Sequence, residues 1–305
     1  MSEVINNRSE ILFLYDVSWS NPNGDPVDEN KPRIDEETGR NIVTDVRLKR
    51  TIRDYLHDYR GMEIFIREIR DEKQKLESKE KRMETFHNQA DKVVQECIDI
   101  RLFGATTAIE NHTMALTGPV QFKFGQSLHR VDPVFIKGTT IMPAGEDKAQ
   151  GTFTERYLLP YSLIAFYGVV NEKAAQNQGY SLATNDDIQL LLEGLWNGTK
   201  NLISVSKAGH QPRFLLSIEY KPGFFHLGEL DKMIKFVHEK NDEEIRAVDE
   251  GTLEIGQLFE AIKTRANEVQ TIKYQVDSMV QFTINGEKML FHKVFSDFNL
   301  QPLRF

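Results

Sequence analysis

A chain of 305 residues, 40% hydrophobic and with a formal net charge of −8, is long enough for one large domain or two and apolar enough to pack a core. A single cysteine, Cys97, excludes an internal disulfide. No Cys/His cluster has zinc-finger spacing, and no apolar run approaches a membrane span. With a polar N-terminus that does not read as a signal peptide, these features lead us to expect a protein of the reducing cytoplasm, with no membrane partner and no cofactor. The negative charge speaks against a simple nucleic-acid binder. However, residues 239–260 alone hold eight acids and two bases. A basic groove elsewhere can still bind phosphates, because salt screens charges beyond about 10 Å.

In chain order, Glu10 to Val17 (EILFLYDV) is apolar enough for a central strand. The loop from Ser20 to Arg40 has no periodicity and is long for a structureless connection, which marks it as functional or disordered. A helix starts at about Thr44 or Asp45, both good N-caps, and ends near Gly61. Leu48, Ile52, Tyr55, Leu56 and Tyr59 make its apolar face, with Lys49, Arg50 and Arg53 expected opposite. Strand, polar loop and basic helix face together fit a phosphate chain, although such a face is also the ordinary wet side of a helix. Residues 63–84 hold seven acids and seven bases, which predicts a solvent-exposed helix. Ala90 to Phe103 predicts a second helix stopped by Gly104.

Met114 to His129 begins a strand-rich part, with Val120, Phe122 and Phe124 alternating as core positions. It carries no Lys/Arg-Gly-Phe-Gly-Phe type motif for base stacking on a sheet. Arg130 to Thr154 mixes Pro and Gly breakers with Val134, Phe135, Ile136, Ile141, Met142 and Phe153, a pattern that suits a loop docking on something else. Tyr157 to Val170 reads as a buried strand, and Asn185 or Asp186 caps a helix. The segment Leu202 to Gly209 places Lys207 among small residues, and Arg213 to Tyr220 is a strand. Leu230–His238 and Leu258–Asn267 are expected as helices, and Asn285-Gly286 as a hairpin turn. Alternating strands and helices with late hairpins indicate α+β or α/β.

Two chemistries are open. The acids Asp25, Asp28, Glu29, Asp35, Glu36 and Glu37 of the first loop suit a metal site or a general base, yet no histidine accompanies them and acids in polar loops are mostly solvated or capping. His129 is either a base, an RNA contact or a structural residue. No Ser-His-Asp pattern, Walker loop or dinucleotide fingerprint is present, so we assign no catalytic and no metal-ligating residue.

Asn21-Pro22-Asn23-Gly24-Asp25-Pro26, Arg33-Ile34-Asp35 and Thr44-Asp45-Val46-Arg47-Leu48-Lys49-Arg50-Thr51-Ile52-Arg53 resemble one N-terminal signature, continued by Arg101-Leu102-Phe103-Gly104-Ala105, Gly118-Pro119-Val120-Gln121-Phe122 and Ser127-Leu128-His129. It is that of the crRNA-binding backbone subunits of type I CRISPR Cascade complexes (the Cas-seven family), in the type I-B form. The resemblance covers at least residues 10 to 170. It implies a single α+β domain over residues 1–305, a modified ferredoxin-like (RRM-like) palm with a helical finger at 61–112 and a thumb hairpin at 130–155. It implies a non-catalytic subunit, lined up in several copies as a helical filament on crRNA. Implied RNA contacts are Asn21, Asn23, Thr44, Arg47, Lys49, Arg50, Arg53, His129, Arg130 and Lys207, with Met142 and Phe153 as the thumb wedge. Further partners would be target DNA and the 5′-handle-binding, large and small Cascade subunits. The alternative is a metal-dependent endoribonuclease of a related RNA-guided complex, using the acids of residues 25–37.

Overall fold

A computed structural model describes residues 3–109, 112–139, 153–176 and 182–305. Six elements give the frame: Ser9–Ser20 (β1), Asp45–Arg60 (α1), Gly125–Arg130 (β2), Phe153–Val170 (β3), Asn185–Lys200 (α2) and His210–Tyr220 (β4). The four strands lie in the sheet in the order β4-β1-β3-β2, each antiparallel to its neighbour. Val269–Val276 (β5) extends the sheet beyond β4, and Arg40–Val43 extends it beyond β2.

The strand β1 is mostly apolar from Ile11 to Val17 because both of its faces are buried there. Ile11, Phe13, Tyr15 and Val17 enter a core shared with Leu48, Ile52 and Leu56 of α1 and Leu191, Leu192 and Leu195 of α2. Leu12 and Leu14 point the other way, into a core completed by residues beyond 225. Its two buried acids are fully engaged. Glu10 accepts hydrogen bonds from the Tyr167 and Tyr220 hydroxyls and from the Leu227 and Gly228 amides at 2.8 and 2.7 Å. Asp16 accepts from the Tyr161 hydroxyl at 2.9 Å and from Arg213 at 2.8 Å. Such partners are what allow carboxylates inside a core.

The first helix forms as its caps predict. The Thr44 side chain accepts from the Arg47 amide, and Gly61 closes the helix in the left-handed region at φ 63°. For α2 the cap is one residue earlier than expected. Thr184 and Asp187 form a capping box, which neither Asn185 nor Asp186 does.

Three expectations are corrected. Residues 63–84 are not one helix. Only Lys79–Thr85 is helical, because Arg82 turns back to Glu63 and donates to the Ile64 and Phe65 carbonyls, and Asp71 accepts from the Lys73 and Lys75 amides in a turn. Ala90 to Phe103 is two helices, broken at Cys97, whose ψ of 107° is extended. Its stop at Gly104 is as expected. Gly104 has φ 70°, and a Cβ there would lie 2.1 Å from the Leu116 carbonyl oxygen, so only glycine fits. Leu230 to His238 is a 3₁₀ turn followed by the strand Lys235–His238, where Phe236 is buried and Lys235 and Val237 are exposed, a period of two.

The second face of the sheet is covered by a layer that includes Ile245, Val248 and Leu253 of the acidic stretch. The strands Phe282–Ile284 and Glu287–Met289 pair around Asn285 and Gly286, at φ 52° and 82°, a type I′ hairpin. The acids of residues 239–260 therefore belong to the layer on the opposite side of the sheet from α1 and α2.

Candidate nucleic-acid interface

The basic residues of α1 separate into two groups. Lys49 and Arg53 are each only 8% exposed, which corrects their placement on an outer face. Lys49 pairs with Asp45 at 3.0 Å and lies 5.5 Å from the centre of the Phe103 ring. Arg53 pairs with the fully buried Asp99 at 2.9 Å, and its guanidinium lies 5.1 Å from the same ring. Asp99 also accepts from the Phe65 and Ile66 amides at 2.8 and 3.1 Å. These two cations fasten α1 to the helix Ile98–Phe103, with ion pairing and cation–π contact in one arrangement.

Arg47, Arg50 and Lys207, by contrast, converge on one pocket of about 460 Å³ between α1 and residues 201–207. Arg50 keeps half of its side chain in solvent, where it makes an (i, i+4) pair with Asp54 at 2.6 Å. Exposed pairs of this kind are worth roughly 0–1 kcal/mol, so Arg50 exchanges Asp54 readily for an incoming anion. Arg47 donates to the Thr51 hydroxyl at 3.3 Å. Lys207 is carried by a loop strapped to the end of β1: the Ser18 amide donates to the Gly209 carbonyl at 3.1 Å, and the Ser20 hydroxyl to the Ser206 carbonyl at 2.6 Å. Its ammonium donates to the Asn21 carbonyl. Burial first, and Arg47 second, push Lys207 down to about 7, and among the described residues no carboxylate acts on it. The ring of His210 lies tilted against that of Tyr15, centres 5.5 Å apart, with its Nε2 buried and without a partner among the described residues. Burial first, then the neighbouring Lys207 and Arg47, hold it neutral, with its pKa well below the usual histidine range.

The other expected contacts are mostly occupied by the fold. The buried Asn21 donates its amide to the Asn30 and Tyr157 carbonyls at 2.7 and 3.4 Å. Asn23 accepts from both the amide and the hydroxyl of Thr44, at 2.9 and 2.8 Å, and so fixes the start of α1. His129 is corrected as a surface contact. It is 2% exposed, stacks on Tyr161 at 5.6 Å, donates from Nδ1 to the Arg130 carbonyl and accepts at Nε2 from the Leu163 amide. Burial lowers its pKa and so favours the neutral ring. Arg130 is exposed, with Glu243 at 3.8 Å. Phe122 is buried as expected, and Phe124 is exposed instead, beyond the end of the strand pairing of residues 120–122.

The segment 130–155 contains the strand Val134–Thr139, paired with the first residues of β3 from Val134↔Leu158 to Thr139↔Phe153. Phe135 and Ile136 are exposed. Met142 lies outside the described residues, and of Phe153 only the backbone is described.

Three acids of the first loop are partnered locally. Asp25 pairs with Arg33 at 2.7 Å, Asp28 with Lys31 at 2.7 Å, and Asp35 accepts from Thr38 at 2.6 Å. Among the described residues, no three His, Cys, Asp or Glu side chains gather as a metal site. Sequence reasoning missed His57 and Arg67, which line the same pocket as Arg50 and contact each other at 2.9 Å. For His57 a signal existed, since it falls seven residues after Arg50 on the same helix face.

Comparison with known proteins follows this geometry. Residues 7–256 match the family model of the CRISPR-associated protein Cas7. A CRISPR-associated protein Cas7 of Haloferax volcanii is 30% identical, over 92% of this chain and 90% of that protein. The fold is similar to a chain of a CRISPR RNA-guided surveillance complex, with TM-score 0.54, 15% identity and 88% of each chain covered. A chain of such a complex in a pre-nicking state gives TM-score 0.54 at 10% identity, covering 95% of this chain and 98% of that one. At those identities the structural likeness is one of fold. With most of its length matched by the family model and by a relative of nearly the same extent, the chain belongs to the Cas7 family of CRISPR-associated proteins.

Proposed function

We propose that the protein is a non-catalytic, repeating backbone subunit of a type I Cascade surveillance complex, in the type I-B form, that holds crRNA by its sugar-phosphate backbone. The observation that carries this reading is the convergence of Arg47, Arg50 and Lys207 on one open pocket, with Lys207 lacking a carboxylate partner among the described residues. A cation cluster of that kind is suited to phosphate, and nothing in it reads a base edge. The guide bases are then free to pair with target DNA, so sequence recognition belongs to the RNA.

The β-α-β-β-α-β order with strands arranged β4-β1-β3-β2 supports an RRM-like palm. In this reading residues 61–112 form the finger. The paired strands at 134–139 and 153–158 form the base of the thumb, and Met142 and Phe153 serve as its wedge over a neighbouring copy's RNA. Asn21, Asn23, Thr44, Lys49, Arg53 and His129 act by holding the site in shape, and Arg130 contacts the backbone from the thumb side. The other partners are the remaining Cascade subunits, in the cytoplasm. The internal pairing of Asp25, Asp28 and Asp35 favours this reading over a nuclease.

Arg50→Ala is expected to lower affinity for unrelated RNAs alike, and to reduce the slope of log K against log salt by about 0.7, one single-strand phosphate contact. Unchanged affinity and slope in a folded Arg50→Ala protein would remove the basis of the reading.

A further inference from the structure

The pocket between α1 and residues 201–207 has an unusual charge state for a phosphate site. Its lysine, Lys207, is half-buried, and the one hydrogen-bond acceptor of that lysine among the described residues is the Asn21 carbonyl. Arg47 faces it from α1, with Asp54 and Arg50 acting on Arg47 from behind. Tyr15 of β1, whose hydroxyl burial keeps protonated, acts on Arg47, and the neutral His210 of β4 neighbours both cations. The far wall carries His57, Asp58, Arg67 and Glu68. Two cations thus sit together, with no carboxylate among the described groups that act on Lys207, beside a buried imidazole with an orphaned Nε2.

We propose that this pocket seats one backbone phosphate together with one proton, so that nucleic acid binds here more tightly as the pH falls toward neutrality. The inference rests on the reading of the pocket as a backbone site and adds its coupling to protons. Without a phosphate beside it, Lys207 is pushed down to about 7, because burial and Arg47 both disfavour the ammonium. A phosphate placed between Lys207 and Arg47 reverses the second effect and opposes the first. Its negative charge raises the lysine's affinity for a proton. Above about pH 7 the complex therefore holds one proton more than its separated parts. By linkage, affinity is level below that pH and falls above it by up to about tenfold per pH unit. No covalent step is involved; the proton comes from solvent and returns to it on release.

The test is to titrate the protein with a short oligouridine between about pH 6 and pH 9 at fixed ionic strength. Calorimetry in two buffers of different protonation enthalpy counts the protons taken up. Wild type is expected to show the falling affinity, and an uptake approaching one proton at the alkaline end. Lys207→Arg, permanently charged, is expected to bind with no fall and no uptake. His57→Gln is expected to keep the wild-type slope. Level affinity in wild type with binding intact, a slope that survives in Lys207→Arg, or a slope that disappears in His57→Gln would each overturn the proposal. Inorganic phosphate is the control for a free anion: if it fills the pocket and oligouridine does not displace it, the proposal falls. The underlying reading fails separately, if Arg47→Ala, Arg50→Ala and Lys207→Met all leave oligouridine binding unchanged at every pH. The buffer pair on wild type alone decides the matter if a variant does not fold.

Discussion

Arg53→Ala separates a structural cation from a binding one within the same helix. Arg53 and Asp99 are 2.9 Å apart, at 9% and 0% side-chain exposure. Removing the guanidinium leaves a carboxylate in the core with only the Phe65 and Ile66 amides to satisfy it. Breaking a buried pair in this way costs about 3–5 kcal/mol. Losing the contact with the Phe103 ring, 5.1 Å away, adds about 0.5–2 kcal/mol. For a chain of this size about 1 kcal/mol corresponds to roughly 2–4 °C, so a fall in Tm on the order of 10 °C is expected. Arg50, half in solvent and paired at the surface, should change stability by less than about 1 kcal/mol when replaced by alanine. Thermal and urea melts of both variants, each followed by RNA titration of the folded protein, give the comparison. If Arg53→Ala melts like wild type and loses RNA affinity, Arg53 is a backbone contact and the account of α1 is wrong.

Two further outcomes are expected. Gly104→Ala should lower stability by about 2–4 kcal/mol in urea unfolding, because a Cβ at φ 70° would stand 2.1 Å from the Leu116 carbonyl oxygen and 2.4 Å from the Gly118 nitrogen; a neutral result would mean that the turn after Phe103 is not held as described. Replacing residues 131–152 by a short Gly-Ser linker should leave the melting of the isolated protein within a few degrees of the parent and abolish long assemblies on crRNA in electron micrographs; an unfolded variant would place the segment in the core, and full-length assemblies would show that copies are held by another surface.

Much of the fold is written locally. The apolar run from Glu10 to Val17, the Thr44 and Gly61 caps and the Asn285-Gly286 turn each specify their element through backbone preference and side-chain period, and each forms at its expected place. The failures have a common cause. Residues 63–84 alternate charge as an exposed helix does, but Arg82 finds its partners back at Glu63 and Ile64 and Asp71 closes a local turn, and a mixed-charge pattern carries no information about either choice. Lys235 to His238 form a strand because a partner at Gly251–Glu254 exists to pair with it.

The candidate site shows the same division. By itself the sequence determined that α1 is an amphipathic helix rich in arginine and lysine after a polar loop, and its motifs pointed to the family. Helical spacing fixes the angle at which Lys49, Arg50 and Arg53 leave the axis, and nothing more. Only the tertiary structure decided that Asp99 and Phe103, about fifty residues away, cover two of these cations, while the loop bearing Lys207 comes up beside Arg47 and leaves Arg50 open to solvent. The physical reason is that a cation's role depends on which charge and how much water surround it, and those are set by contacts between distant segments that no local spacing records.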